Sequence, residues 1–358
     1  MSAATRLALA AYVPARTRSW NDHSRLFVVG DDIGWSIDDD RARLTATAGR
    51  LGYEVAPARW ARFAQRQSVF NHEHFGALQP RWLESSHRLG LSYFHGRPGT
   101  PGFPEFDRAY AALERNASRI DRVQVTHAEL HELVLAAGVA PEKVFRIPIG
   151  VDLERFPLGE RTAARSALDI PESAFVVGSF QKDGVGFGEG LEPKAIKGPD
   201  VFVRVVEQLR IPELFVLLTG PARGYVRKEL DRLGVPYRHL LLPRDELADA
   251  YHALDVYLVT SRQEGGPKAV LESMATGVPL VTTRVGQAPE LVTDGENGLL
   301  ADVDDVDALA AAVRRVRDDT QLRGRLRAAG RPTAEAYAEE RLDPQWAQLL
   351  DGFVGHVD

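Results

Sequence analysis

Between Asp255 and Thr276 the chain runs from DVYLVT through a double glycine into KAVLESMAT, and this series of strand, turn and helix constrains the fold more than any other stretch. The run Asp255–Thr260 is short, β-branched and aromatic, as expected of a strand buried on both faces of a parallel sheet. Gly265 and Gly266 lack a Cβ, so the chain turns sharply there and lets a ligand approach the backbone. Pro267 suits the first turn of a helix, and Lys268 to Thr276 are mostly good helix formers. A parallel strand requires a helical crossover, so the unit predicts an α/β protein.

The rest of the chain repeats this alternation. Leu26 to Gly30 reads as a first strand and Asp38 to Leu51 as its crossover helix; Ser68 to Asn71, Leu91 to His95, Val123 to Thr126 and Val144 to Ile149 read as further strands. A second series comprises Phe175 to Ser179, Leu214 to Thr219, Tyr237 to Leu241, Asp255 to Thr260 and Pro279 to Thr282, with long helices over Asp304 to Arg317 and Thr320 to Glu340. A length of 358 residues exceeds one ordinary core. The expectation is two doubly wound Rossmann-like domains, 1–150 and 151–343, facing a central cleft, with the tail 344–358 returning to the first. In such sheets ligands bind beyond the carboxyl ends of the strands.

Glu264 to Glu272, EGGPKAVLE, places two carboxylates around the glycine turn. The amides of the first helical turn at Lys268 and Ala269, with the helix dipole, form a ready anion site. Glu272 lies just over one turn beyond Lys268 and addresses a different part of a ligand from Glu264. One carboxylate would take sugar hydroxyls and the other ribose hydroxyls. Taken singly, Glu264 is also readable as a dipole-stabilised helix carboxylate and Glu272 as a solvated one. The combination in one window favours a site for a sugar joined to a diphosphate.

The segment resembles the E-x7-E motif of family 4 retaining glycosyltransferases, which have the two-domain GT-B fold. The resemblance extends through GVPLVTTRVGQAPELVTDGENGLL (Gly277 to Leu300) and IPIGVDLERF (Ile147 to Phe156), covering roughly residues 120 to 340 well and the first hundred poorly. It implies transfer from a nucleotide-activated sugar with retention of configuration, by front-face attack in which the leaving phosphate helps to deprotonate the acceptor. The family clamps the donor diphosphate with an Arg after the first strand of the second domain and a Lys in a Lys-Gly pair. Here Lys197 precedes Gly198, whereas no Arg stands at the first position and Lys182 is the nearest substitute. A lysine binds phosphate as a point charge without the bidentate fork of arginine. The family also places a histidine near the sugar's reacting carbon, which His95 matches, and a double-glycine loop after the first strand, where this chain has only Gly34 followed by Trp35 and Ser36. By the resemblance Glu264 and His95 are the catalytic positions. Glu264 would orient the sugar and offset its developing positive charge. The donor would rest on Gly34, Lys182, Lys197, Gly265, Gly266, Pro267, Lys268, Ala269 and Glu272. Base recognition would fall near Leu240 to Arg244, through backbone contacts.

Two other clusters invite cations. His72 and His74 flank Glu73, but no further ligand is evident and the segment also reads as a helix start. The acids of Asp31 to Asp40 are explained by a solvated loop and by capping at Asp38 or Asp39. No metal and no cofactor are expected. With no cysteine, disulfides, thiolate catalysis and Cys-ligated zinc are excluded. Hydrophobic content of 44% and charged content of 26% are those of a soluble globular protein, and no apolar run approaches the length of a membrane span. No signal-peptide core is evident, so a cytoplasmic location is expected.

Residues 1–150 hold 19 Lys+Arg against 16 Asp+Glu, the remainder 25 against 34, and 18 of the 19 cations are Arg. That excess would suit an anionic acceptor or peripheral contact with the inner membrane face, although scattered solvated charge explains it more cheaply. Neither half has the basic stripe of a nucleic-acid binder. The resemblance thus implies a metal-independent hexosyltransferase of polysaccharide or glycoconjugate biosynthesis. Its partners would be a nucleotide-sugar donor and an unspecified sugar, lipid or small-molecule acceptor. A sugar-nucleotide 2-epimerase and a degenerate nucleotide-binding non-enzyme are the alternatives; a two-carboxylate glycosidase lacks an acid/base partner for Glu264.

Overall fold

The computed structural model describes residues 2–16, 23–30, 36–186 and 188–355. The chain divides into two compact units, Met1–Pro148 together with Glu340–Asp358, and Ile149–Glu339. The first carries strands β1 (Arg25–Val29), β2 (Glu54–Val55), β3 (Ser68–Asn71), β4 (Arg88–Tyr93), β5 (Arg122–Val125) and β6 (Val144–Arg146), in the order β2-β1-β3-β4-β5-β6. The second carries β7 (Phe175–Phe180), β8 (Leu214–Thr219), β9 (Tyr237–Leu240), β10 (Val256–Val259), β11 (Leu280–Thr283) and β12 (Leu299–Ala301), in the order β12-β11-β10-β7-β8-β9. Every pairing is parallel. These are the two sheets with flanking helices of the GT-B fold.

Successive residues of a strand face opposite sides of the sheet, and the second unit shows the consequence. Val177, Val216, Leu218, Val256 and Leu258 enter one core with Val201, Val205, Leu309 and Val313 of helices Pro199–Leu209 and Val306–Asp318. Their neighbours Val176, Leu217, Tyr257 and Val259 enter another with Tyr251 and Val270 of helices Leu247–His252 and Lys268–Ala275. Burial on both faces is why these strands read as continuous apolar runs.

In the first unit the C-terminal helix Asp343–Leu350 covers one face of the sheet. Trp346, Leu349 and Leu350 share a core with Leu26, Val28, Phe70 and Ile147, and Trp346 meets Phe70 edge-on at 5.9 Å. Polar ties hold the same contact: Arg50 pairs with Asp343 at 2.8 Å, and Arg122 Nε donates to the Leu349 carbonyl at 3.0 Å. No described helix is long and apolar enough to cross a membrane.

Several boundaries differ from expectation. The strand expected through His95 ends at Tyr93, and that expected through Ile149 ends at Arg146. The helix expected from Asp38 begins at Ser36, so Asp38 and Asp39 lie within its first turn. The edge strands β2 and β12, of two and three residues, and the N-terminal helix Ala3–Arg16 have no counterpart in the sequence reading.

Trp346→Ala should cost about 3–5 kcal/mol, the range for truncating a buried large aromatic. Hydrogen exchange should register the loss in β1 and β3; unchanged protection there would show that the helix contributes little to that core.

Candidate active site

The chain of the second unit leaves β7 toward β8 and β9, then returns to β10 on the other side of β7, so the strand order reverses between β7 and β10. Such a switch point leaves a crevice at the carboxyl edge where the two following loops diverge. Lys197 lies in the segment after β7 and Glu264 in that after β10.

The two segments are zipped together by backbone. Arg262 N and Gln263 N donate to the Ile196 carbonyl at 2.8 and 3.1 Å, and Thr260 Oγ1 donates to the Gly198 carbonyl at 2.9 Å. The Arg262 guanidinium forks onto both Asp200 oxygens at 2.7 and 2.6 Å. Gly198 is left-handed, at φ 62°, and a Cβ there would stand 1.9 Å from the Thr260 carbonyl oxygen. Only glycine permits this approach. On the frame so made, both Glu264 oxygens accept from Lys197 Nζ, at 2.6 and 2.7 Å, and Ser261 Oγ donates to Oε1 at 2.8 Å. The Glu264 side chain is 10% exposed and that of Lys197 23%, so the pair sits in a partly dried surface where its charges are less screened than in bulk water.

Beyond Glu264, Gly265 and Gly266 carry the chain to Pro267, which is the cap residue of helix Lys268–Ala275 and not its first helical residue. The side chain of Pro267 makes no capping hydrogen bond. A Cβ on Gly266 would meet the Gln287 side chain at 2.8 Å. Gln287 is itself clamped to Ile149, accepting from its N–H at 2.9 Å and donating to its carbonyl at 3.0 Å.

Glu272 is 5% exposed, which overturns the reading of a solvated helix residue. Tyr251 Oη donates to Oε2 at 2.8 Å and Arg244 Nη2 to Oε1 at 3.1 Å. The 7% exposure of its side chain leaves only a narrow opening to solvent. A carboxylate so placed is stable only if hydrogen-bonded and charge-compensated.

Lys182 is half-buried, between Gln181 and the fully buried Asp183. Asp183 pairs with the equally buried Arg223 at 3.1 Å, and Arg223 Nη1 donates to the carbonyls of Ser179, Gln181 and Thr219 at 2.6, 2.9 and 3.0 Å. Burial pushes the Asp183 carboxyl up, opposed by Arg223 and also by Lys197. An arginine thus stands behind the loop after β7, reaching it from the turn after β8, and it serves the loop's backbone from within. Sequence reading missed Arg223, Asp183, Tyr251, Arg244 as a side chain, Ser261 and Gln287, since each acts through a contact distant in sequence or too common locally to stand out.

In the first unit His95 lies two residues beyond the end of β4, with ring centroids of Phe106, His74 and Phe75 at 5.6, 6.1 and 6.2 Å. Gly34 lies outside the described residues. Glu73 caps helix His74–Ala77 through Gly76 N at 2.6 Å, and His72 Nδ1 bonds Ser92 Oγ at 2.8 Å. His74 opens that helix, in line with the helix-start reading, and stacks on Tyr93 at 4.1 Å. Among the described residues no group of three or more His, Cys, Asp or Glu is arranged to hold a metal ion.

The group described as "Glycosyl transferases group 1" matches residues 184–319. D-inositol 3-phosphate glycosyltransferases are similar to this chain: that of Saccharomonospora viridis is 34% identical over 245 residues, 64% of this chain and 54% of the relative. That of Stackebrandtia nassauensis is 32% identical over 325 residues, 82% of this chain and 69% of the relative. That of Catenulispora acidiphila is 29% identical over 290 residues, 75% and 64%. The matched stretch is thus about half to two-thirds of these relatives' length. Among solved structures, Anabaena HepE in complex with UDP and glucose superposes with a TM-score of 0.74 at 17% identity, over 92% of this chain and 99% of that one. Sucrose-phosphate synthase of Thermosynechococcus elongatus gives 0.71 at 18%, over 92% and 98%. The chain belongs to the group 1 glycosyltransferases of the family 4 type.

Two outcomes are expected. Gly198→Ala should cost about 1–3 kcal/mol through strain and the clash with Thr260, read as a lowered melting temperature; an unchanged melt would mean the zipper does not depend on that contact. Burial, then the neighbouring His95, hold the His74 imidazole well below its usual value of 6.5. Its folded-state pKa being depressed, the stability it confers is present above pH 6.5 and is lost as pH falls toward the folded value. Relative to His74→Phe, the wild type should lose about 1.4 kcal/mol per pH unit on acidification below 6.5. Parallel stability profiles of the two proteins would rule this out.

Proposed function

We propose that the protein is a retaining, metal-independent glycosyltransferase that moves a sugar from a nucleoside-diphosphate sugar to an acceptor hydroxyl. The observation that carries the reading is the convergence, at one sheet's switch point, of Lys197, Glu264, the start of helix Lys268–Ala275 and the buried Glu272. The UDP-glucose held by Anabaena HepE supports a nucleotide-sugar donor, as does the similarity to D-inositol 3-phosphate glycosyltransferases.

The barrier in such a transfer is separation of a diphosphate anion from an oxocarbenium-like sugar, so preorganised positive groups at the leaving group do most of the work. Lys197 has three N–H donors. Glu264 engages its ammonium on one side, leaving donor capacity and charge for a phosphate on another. The amides at Lys268 and Ala269 and the helix dipole add to that field without a metal. Glu264, fixed by Lys197 and Ser261, would face the sugar and offset positive charge at the reacting carbon. Glu272 would take the ribose hydroxyls. Lys182 would lie along the diphosphate on the loop that Arg223 supports, and His95 keeps the sugar contact that the family resemblance gives it. Because Lys197 and Glu264 are bonded, their roles are coupled, and removing the ammonium strips the carboxylate of its partner.

A panel of nucleoside diphosphates and nucleotide sugars tests this through thermal stabilisation. A ligand at a hundred times its dissociation constant adds about 2.7 kcal/mol. A shift confined to one base is expected, together with donor hydrolysis or transfer and no isomerised donor when acceptor is omitted. Lys197→Ala should weaken the diphosphate at least tenfold, and Glu264→Gln should lower turnover by about 10²–10³ with donor affinity nearly kept. No shift with any nucleotide at saturating concentration would overturn the reading.

A further inference from the structure

We infer that Tyr251 and Arg244 are positioning residues that aim Glu272 at the ribose diol, so that the enzyme's selectivity for a 2′,3′-dihydroxy nucleotide depends on side chains that need not touch the sugar. The inference rests on the nucleotide-sugar reading and deepens it.

A carboxylate offers about four lone-pair positions. Among the described residues, the partners of the Glu272 carboxylate are Tyr251 Oη on Oε2 at 2.8 Å and Arg244 Nη2 on Oε1 at 3.1 Å. One donor on each oxygen fixes the plane of the group and leaves one position per oxygen, a pair matched to two adjacent hydroxyls. Tyr251 is fully buried, and burial together with the neighbouring Glu272 raises its phenol well above the ordinary value, so it stays protonated and donates. Its rotamer has no freedom: Phe180, Tyr257 and Phe156 surround the ring at centroid distances of 4.8, 5.2 and 5.9 Å.

The packing also joins the ribose end of the site to its phosphate end. Tyr257 Oη accepts from Phe180 N at 2.8 Å, and Phe180 is the last residue of β7, directly before Gln181 and Lys182. Arg244 adds a second service. Its guanidinium offsets the Glu272 charge, which would otherwise repel a diphosphate nearby. At 30% exposure it remains accessible on its outer side, within the Leu240 to Arg244 stretch expected near the base.

The test is calorimetric titration of whichever of UDP, GDP or ADP the wild type binds, beside its 2′-deoxy and 3′-deoxy forms, against wild type, Tyr251→Phe and Arg244→Met. Wild type should prefer the ribonucleotide by on the order of 10- to 100-fold over each deoxy form, the range for hydrogen bonds to a charged group. Tyr251→Phe should shrink that preference below about fivefold, chiefly by weakening the ribonucleotide. Arg244→Met should shrink it likewise and weaken all the diphosphates together. A merely structural role would weaken ribo and deoxy forms equally, leaving the ratio intact, and that result overturns the inference. Should Tyr251→Phe fail to fold, the ratio in Arg244→Met decides. Failure of wild type to bind any nucleoside diphosphate, or to distinguish ribo from deoxy, would overturn the donor reading beneath it.

Discussion

The lock between the Ala195–Asp200 segment and the Thr260–Glu264 segment is the contact on which the rest of the site depends. Parallel strands β7 and β10 deliver two loops to one edge of a sheet, but adjacency alone leaves their side chains unaligned. Alignment comes from Gly198, whose left-handed backbone lies against the Thr260 carbonyl, and from Arg262, which spans the joint to Asp200. With the backbones in register, the Lys197 ammonium and the Glu264 carboxylate meet as a hydrogen-bonded pair. An exposed pair of this kind would contribute little to stability. Its value here lies in holding a cation and an anion at fixed positions before any ligand arrives.

Around that joint Asp183, Glu272 and Asp200 each have a counterpart within reach. Asp183 and Arg223 are both wholly buried and answer one another, Arg223 also tying the ends of β7 and β8 through three carbonyls. Glu272 is answered by Tyr251 and Arg244, and Asp200 by Arg262. A site that is to receive a diphosphate benefits from such internal compensation, because reorganisation of charge need not accompany binding. The absence of an arginine directly after β7, a departure from the family's diphosphate clamp, looks different beside Arg223. A guanidinium is present behind that loop, committed to its backbone, and Lys182 is left on the loop itself.

The sequence disclosed the sheets because their central strands are buried on both faces and so read as unbroken apolar runs, as in Leu214–Thr219. It did not disclose β2 and β12, whose two and three residues are too short to carry a pattern. The strand ends drifted at His95 and Ile149, where apolar residues continue past the last ladder bond. In the site, EGGPKAVLE and Lys197-Gly198 were legible because backbone demands fix residue types there: glycine for the turn and the close approach, a helix start, and acids at set spacing. Tyr251 and Gln287 were not, since a tyrosine in a short helix and a glutamine after a glycine are common, and only the folded sheet brings them to Glu272 and Ile149. The solvated reading of Glu272 failed for the same reason: its burial is created by the helix Leu247–His252, 20 residues upstream.

The most direct measurement is a crystal structure with a bound nucleoside diphosphate. The account predicts phosphate oxygens within hydrogen-bond distance of Lys197 Nζ and of the amides at Lys268 and Ala269, with the ribose hydroxyls on Glu272 and the Lys197–Glu264 pair intact. A nucleotide bound elsewhere, or one whose phosphates lie away from Lys197 with Glu272 unengaged, would contradict it.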